Sequence, residues 1–405
     1  MTLPRSTLPH VSFDPTDAAF VQNPYPAYRN MRAAGDVIFW VDYDLPVAVT
    51  SAAVTEAMRH PKMGRAVPGD PPATSDDLRP FYEIEEHSLL EIEPPDHTRV
   101  RKIVARAFAG KRTVVLAPLV NKIAYELIDQ FPTDASFDLL QAYAQTLTAR
   151  VIAAFLGINE QHASQLRAWS NAMVAMYQAR RDAQIERAAA TAAKQFAEFV
   201  TAELDRRKHL PQGDFLTDLV LAESARELTR PEAISTAILL LNAGQEATAH
   251  SIGNAVRTLV GYSDIALALQ PEHIAGTVEE CLRFTPPLHM FMRHAYEPVT
   301  LAGLDFPEGT QIACLLGSAC RDDAVWPDGE LFDPFRVRRP HQSFGVGIHA
   351  CTGAALARLE MQIALPALFS RCAKLEITSP PRIANKYHFH GLESLQVRLA
   401  GPGST

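Results

Sequence analysis

Ten residues near the end of the chain run Phe344-Gly345-Val346-Gly347-Ile348-His349-Ala350-Cys351-Thr352-Gly353. They combine one thiol with three glycines and an aromatic ring seven positions before the sulfur, and a helix-forming run, Ala354 to Arg358, follows at once. A thiolate placed there meets the unpaired N–H groups at a helix start, which stabilise negative charge. The glycines let the backbone come close to something flat and bulky. Such a loop would present a single sulfur ligand to a haem iron. The other cysteines, Cys281, Cys314, Cys320 and Cys372, lack these surroundings and read as small buried apolar residues.

Further groups could do chemistry. Pro94-Pro95-Asp96-His97-Thr98-Arg99-Val100-Arg101 opens a helix with His97 and Arg101 on one face, at i and i+4. Cations at a helix start oppose its dipole, so they form either a solvated basic turn or a partner for an anion. Arg293, behind Pro286-Pro287 and the apolar Leu288 to Met292, and His349 are two more candidate cations from separate segments. Elsewhere Ala243-Gly244-Gln245-Glu246-Ala247-Thr248 puts an acid inside a helix, with Gly244 permitting a local widening. Glu246 reads as a proton-network acid or as the partner of a neighbouring base. Thr248 reads as a proton relay or as a hydroxyl bonded back to the preceding turn. Glu280 and Arg283, at i and i+3, form a helix-face pair of a kind that carries little meaning by itself.

The elements that must position these residues are mostly helices. The apolar spacing predicts helices over 97–108, 113–130, 138–156, 160–182, 184–208, 213–224, 272–285 and 352–371. The longest runs from Arg230 to Val260, with Thr229 as cap and Pro231 in the first turn. At 1.5 Å per residue it would extend about 45 Å, and its apolar sides suit a central buried rod. Short strands are predicted at 37–40, 46–50, 299–301 and 311–316, and 51–59 as a helix. Residues 61–80, with five prolines and two glycines, read as a mobile surface loop. The expectation is one domain over 1–405, mainly α with a smaller β-rich part at about 30–60, a helical core at about 95–285 and the cysteine loop at 344–353.

Composition excludes other classes. With 47% hydrophobic and 21% charged residues over 405 positions, the chain can build a large core. A net charge of −8 argues against nucleic acid as a general partner. Widely spaced cysteines without a Cys-x-x-Cys pair argue against a zinc cage or disulfide framework. No apolar run has the length of a membrane span, and Met1 to Ser6 lacks a secretion-signal core, so the expected setting is the cytoplasm.

The ten-residue loop resembles the haem-binding loop of the cytochrome P450 family at every motif position. The resemblance implies that fold, with the long helix over haem b, and Cys351 as the axial thiolate that favours O–O cleavage. Phe344, Gly345 and Gly353 then shape the sulfur's surroundings, and His97, Arg101, Arg293 and His349 serve the two haem carboxylates. Glu280, Arg283 and Arg336, the last from Phe332-Asp333-Pro334-Phe335-Arg336, match a structural ion network. One departure stands out. Where the family has a threonine after the acid, this chain has Ala247, which can relay no proton. Gly244, Glu246, Ala247 and Thr248 therefore form the catalytic segment with its alcohol missing.

The resemblance implies a monooxygenase inserting one atom of O2 into a small or medium hydrophobic substrate, with a substrate hydroxyl or carboxylate completing the relay. Apolar contacts are expected from Met173, Met176, Leu240, Leu288, Met290, Phe291 and Phe389, and polar anchoring from Arg65, His87, His289 or His388. Electrons are expected from a separate ferredoxin with an NAD(P)H-dependent reductase, docking near Lys102, Arg106, Lys111, Arg112, Arg338, Arg339 and Arg358. A monomer without nucleic-acid or membrane partners is expected. A peroxide-using or oxidative-coupling enzyme and a non-catalytic haem sensor are the alternatives.

Overall fold

The computed structural model describes residues 7–69, 75–109, 111–177, 181–386 and 389–399. The chain forms two compact units. The first comprises Met1–Gly69, His250–Cys351 and Leu375–Arg398, and the second Asp70–Ala249, Thr352–Lys374 and Leu399–Thr405.

The first unit is built on a six-stranded sheet in the order His10–Val11, Val37–Trp40, Leu45–Ala48, Gln311–Leu315, Met290–Ala295, Met63–Gly64. Val37 to Trp40 are all buried because the sheet is covered on both faces. Val37 and Phe39 enter one apolar cluster with Val54, Met58 and Phe306, while Ile38 and Trp40 enter another with Tyr28 and Met31. The helix Ser51–Arg59 starts where Thr50 accepts the N–H of Ala53. Part of the stretch expected to be a mobile loop is tied down instead, since Met63 and Gly64 pair antiparallel with Ala295 and His294. The helix Tyr25–Ala34 escaped the sequence reading, because flanking prolines and turns hid its buried face, Tyr25, Tyr28 and Met31.

The second unit is helical. It contains Asp96–Phe108, Lys111–Val115, Ala117–Ile128, Gln145–Leu156, Ala163–Val174, Ala183–His209, Phe215–Ser224, Ala354–Arg371 and the long helix Arg230–Leu259 as far as Ala249. The predicted 113–130 helix is interrupted at Leu116, ahead of Pro118, and 138–156 opens with a wider π turn at Leu140–Ala144. A capping box starts the long helix: Glu232 accepts the N–H of Thr229 at 2.7 Å, and Thr229 Oγ1 accepts the N–H of Glu232 at 3.4 Å. Arg99 then clamps Glu232 at 2.6 Å and holds its carboxyl at about 2. Buried Arg207 ties Asp214 at 2.7 Å and also donates to the Gly157 carbonyl. Gly157 sits at φ +87° with Asp214 where a Cβ would be, so two constraints select glycine there. No described helix is long and apolar enough to cross a membrane.

Candidate active site

The cysteine loop lies at the end of the first unit. A short turn, Gln342–Phe344, is anchored by Ser343, whose hydroxyl donates to the Leu282 carbonyl at 2.7 Å. Gly345 and Gly347 follow at φ +65° and +80°. A Cβ on Gly347 would fall 2.6 Å from the Met58 carbonyl oxygen, so this glycine is required by the backbone packed against it. The loop closes when the N–H of Cys351 donates to the Phe344 carbonyl at 2.8 Å and that of Ala350 to Gly347 at 3.1 Å. Phe344 and His349 are half-buried and the Cys351 thiol is exposed. The four remaining cysteines are buried, and burial raises their thiols, to about 11 for Cys314 and Cys372. Thiolate chemistry is therefore concentrated at Cys351. The helix Ala354–Arg371 begins three residues later, after Gly353.

Arg293 stands in the Met290–Ala295 strand with 1% exposure, one guanidinium N–H donating to the Met292 carbonyl at 2.8 Å. The expected ion network is present in full. Glu280 and Arg283 form a bidentate pair, both bonds 2.7 Å, and Arg336 approaches Glu280 at 3.6 Å. Arg283 also donates to the carbonyls of Cys320, Gly329 and Leu331, at 2.9, 2.8 and 3.1 Å. The Glu-Arg spacing thus holds down the irregular segment that leads into the cysteine loop.

In the second unit His97 is 1% exposed on the Asp96–Phe108 helix, and Arg101 lies one turn on, half-buried. Along the middle of the long helix the accessible residues are Leu239, Ala243, Gly244, Glu246 and Ala247, among buried Leu240, Leu241, Asn242, Gln245 and Thr248. Leu239, Ala243 and Ala247 recur at i, i+4, so one face of small and apolar side chains is open. Thr248 turns away from it and is buried. The expected widening at Gly244 is not seen: the helix is regular α from Arg230 to Leu259. The glycine has a packing cause instead, since a Cβ there would lie 2.8 Å from Ile152 Cδ1. Beside it Thr148 donates to the Gln245 carbonyl at 3.1 Å, a bond that no sequence signal announces.

The expected docking cations are reduced in number. Arg106 pairs with Glu227 at 3.2 Å and Arg112 with Asp218, so their charge is answered within the chain. His289 is fully buried against Tyr28 and is part of the interior, not a polar anchor. Met173 and Met176 are also buried, and Arg65 lies 5.0 Å over the Phe291 ring. His388 and the side chain of Lys111 lie outside the described residues.

The model of the family described as cytochrome P450 matches residues 83–393. The chain belongs to the cytochrome P450 family. It is similar to cytochrome P450 107B1 of Saccharopolyspora erythraea, 35% identical over 334 residues that cover 81% of this chain and 79% of the relative. It is also similar to the biotin biosynthesis cytochrome P450 of Bacillus subtilis, 30% identical over 386 residues, 93% and 96% of the two chains. Among solved structures, P450BioI in complex with an acyl carrier protein bearing hexadec-9Z-enoic acid superposes with a TM-score of 0.88 and 29% identity, covering 94% and 100%. The P450 fold and a haem-thiolate oxidoreductase activity using O2 and an organic substrate are thereby shown. The donor set suits that cofactor. One accessible thiol stands ahead of a helix, buried cations are available, and small side chains line the open face of the long helix.

One buried acid stands apart from these groups. Glu360, on the Ala354–Arg371 helix, is 1% exposed and its Oε2 has no hydrogen-bond partner among the described residues. Burial pushes its carboxyl well above the usual range, so the folded protein retains a proton that the unfolded chain releases near pH 4. Its contribution to stability is therefore lost as pH rises above the unfolded value. Glu360→Gln is expected to raise the thermal midpoint by an amount that vanishes near pH 4 and grows as pH rises above it. A pH-independent difference between the two proteins would contradict this.

Proposed function

We propose that this P450 inserts one oxygen atom from O2 into a small or medium hydrophobic substrate carrying a hydroxyl or carboxylate, with electrons from a separate ferredoxin. Haem, when bound, supplies the activation of O2. Cys351 is its thiolate ligand, with the loop from Phe344 through Gly345 shielding the sulfur and Gly353 opening the helix behind it. His97, Arg101, Arg293 and His349 bind its carboxylates. Single-domain organisation and a cytoplasmic monomer belong to the same reading.

One observation carries the substrate requirement: Ala247 occupies the open face of the long helix, where an alcohol would hold a proton-donating water, and Thr248 is turned away and buried. Glu246 remains as the acid one residue before it. The substrate's own polar group must then hold the water that passes protons from Glu246. The names of similar proteins, among them a mycinamicin hydroxylase/epoxidase and 6-deoxyerythronolide B hydroxylase, support an oxygenated natural-product substrate.

Ala247→Thr tests this. With a substrate bearing the polar group, product formed per NAD(P)H consumed is expected to change little. With its deoxy analogue, coupling is expected to rise by about tenfold or more, a part of the roughly 10²- to 10⁴-fold that one positioned proton donor contributes. Equal coupling of both substrates in the unaltered enzyme would refute substrate assistance. Turnover driven as well by peroxide as by ferredoxin and O2 would favour a peroxide-using enzyme instead, a reading that Ala247 also permits.

A further inference from the structure

A small cavity in the first unit is lined by donors that the protein itself leaves unanswered. The helix Ile274–Phe284 brings Gly276, Glu279, Glu280 and Arg283 to one face, at i, i+3, i+4 and i+7. Between that face and the segment 326–341 lies a half-open cavity whose inner part measures about 10 Å³, room for one water-sized atom. Trp326 lines it at 3% exposure, and its indole N–H has no hydrogen-bond partner among the described residues. A buried donor left unpaired is costly, so an acceptor is called for.

Arginines surround the indole. Arg339 donates to the Val325 carbonyl at 2.8 Å and Arg336 to the Pro327 carbonyl, the residues on either side of Trp326. Arg283 lies over the indole ring, its Cζ 5.4 Å from the centroid. The Arg338 guanidinium crosses Gly276, where a Cβ would stand 3.5 Å from its Nε. These four cations face two carboxylates around the cavity, and both carboxylates are engaged. Glu280 holds Arg283 in the bidentate pair and accepts the N–H of Asp333 at 2.9 Å, while Glu279 meets His341 at 3.2 Å. Two positive charges are left over. Arg283 has spent all five of its N–H groups, on Glu280 and three carbonyls. Arg336 Nε, in contrast, is buried without a hydrogen bond, with Glu280 at 3.6 Å. Arg338 makes no hydrogen bond or ion pair among the described residues.

We propose that this cavity binds a tetrahedral oxyanion, of which inorganic phosphate is the type. One oxygen enters the inner part and accepts from the Trp326 indole and Arg336 Nε. The other oxygens stay at the mouth, where the exposed Arg338 and Arg339 present forked N–H pairs that suit an oxyanion. A halide would answer the inner donors and leave those two guanidinium groups unpaired. The bound oxyanion ties the helix face to the segment that runs into the cysteine loop.

The chain's three tryptophans, Trp40, Trp169 and Trp326, make the site visible. Haem-loaded protein carrying isotope-labelled tryptophan, held as the reduced carbon-monoxide complex, gives one indole N–H resonance for each. Sodium phosphate is exchanged for sodium chloride at constant pH and ionic strength. One resonance is expected to shift saturably, and it is the one missing from Trp326→Phe. Arg338→Gln combined with Arg339→Gln, both exposed positions, is expected to weaken the apparent affinity by about tenfold or more through lost charge-assisted bonds. A Trp326 resonance indifferent to phosphate would overturn the site and leave water as the indole's partner. A shift confined to Trp40 or Trp169 would overturn it too, as would an equal response of Trp326 to chloride titrated against gluconate. Should Trp326→Phe fail to fold, the double arginine variant decides, and an affinity unchanged in it overturns the site.

Discussion

Cys351→His abolishes the red-shifted band of the reduced carbon-monoxide complex and lowers substrate oxidation by more than about 100-fold. That figure is a floor, because altering only the partners of a metal ligand already costs 10- to 100-fold. The reasoning starts from the chain's five cysteines: four are buried with thiols that hold their protons, and Cys351 alone is exposed, at the end of a loop closed by its own N–H. Imidazole is a neutral ligand that cannot push electron density onto iron as a thiolate does. The substitution tests the ligand and not the loop, since the bonds that close the loop are made by backbone atoms. The spectrum reads the ligand directly, and turnover reads what the ligand is for. A variant that kept the red-shifted band would move the thiolate to another cysteine and remove the basis of the proposed site.

Arg283→Lys destabilises the protein by about 3 kcal/mol or more, because buried acceptors lose their donors at about 1–3 kcal/mol each. The side chains of Arg283 and Glu280 are 1% and 4% exposed, so solvent screens little of the interaction. Lysine retains the charge and loses the fork. It cannot make the two parallel bonds to Glu280 and also serve three carbonyls, at Cys320, Gly329 and Leu331. Glu280 would keep only Arg336 at 3.6 Å and the N–H of Asp333 at 2.9 Å. The carbonyls belong to the irregular segment before the cysteine loop, so haem content on expression is expected to fall together with the denaturant midpoint. A loss below about 1 kcal/mol, with haem content intact, would reduce the pair to an ordinary surface contact.

The Arg106 and Arg112 pairs bear on how electron-partner docking can be tested. Reversing either charge also breaks a bond to Glu227 or Asp218, so slower reduction would mix docking with local structure. Neutralising both members of a pair together separates the two effects.

Much of the site was legible in the sequence because its parts are local. A thiol, its glycines and the following helix lie within about a dozen residues, and the Glu280–Arg283 pair needs only one helical turn. The capping of the long helix by Thr229 and Glu232 is equally short in range. What the sequence could not decide depends on which segment packs against which. Gly244 looked like a place for the helix to widen and proved to be room for Ile152, a residue nearly a hundred positions away. Arg106 and Arg112 looked like a free basic patch and met carboxylates more than a hundred positions on. His289 looked like a substrate anchor and lies in the interior, stacked on His390. Residue types and short spacings determine what chemistry a chain can do. Only the tertiary structure decides which of its charges and hydroxyls are already satisfied, because the partner that satisfies them is chosen by packing and not by position in the chain.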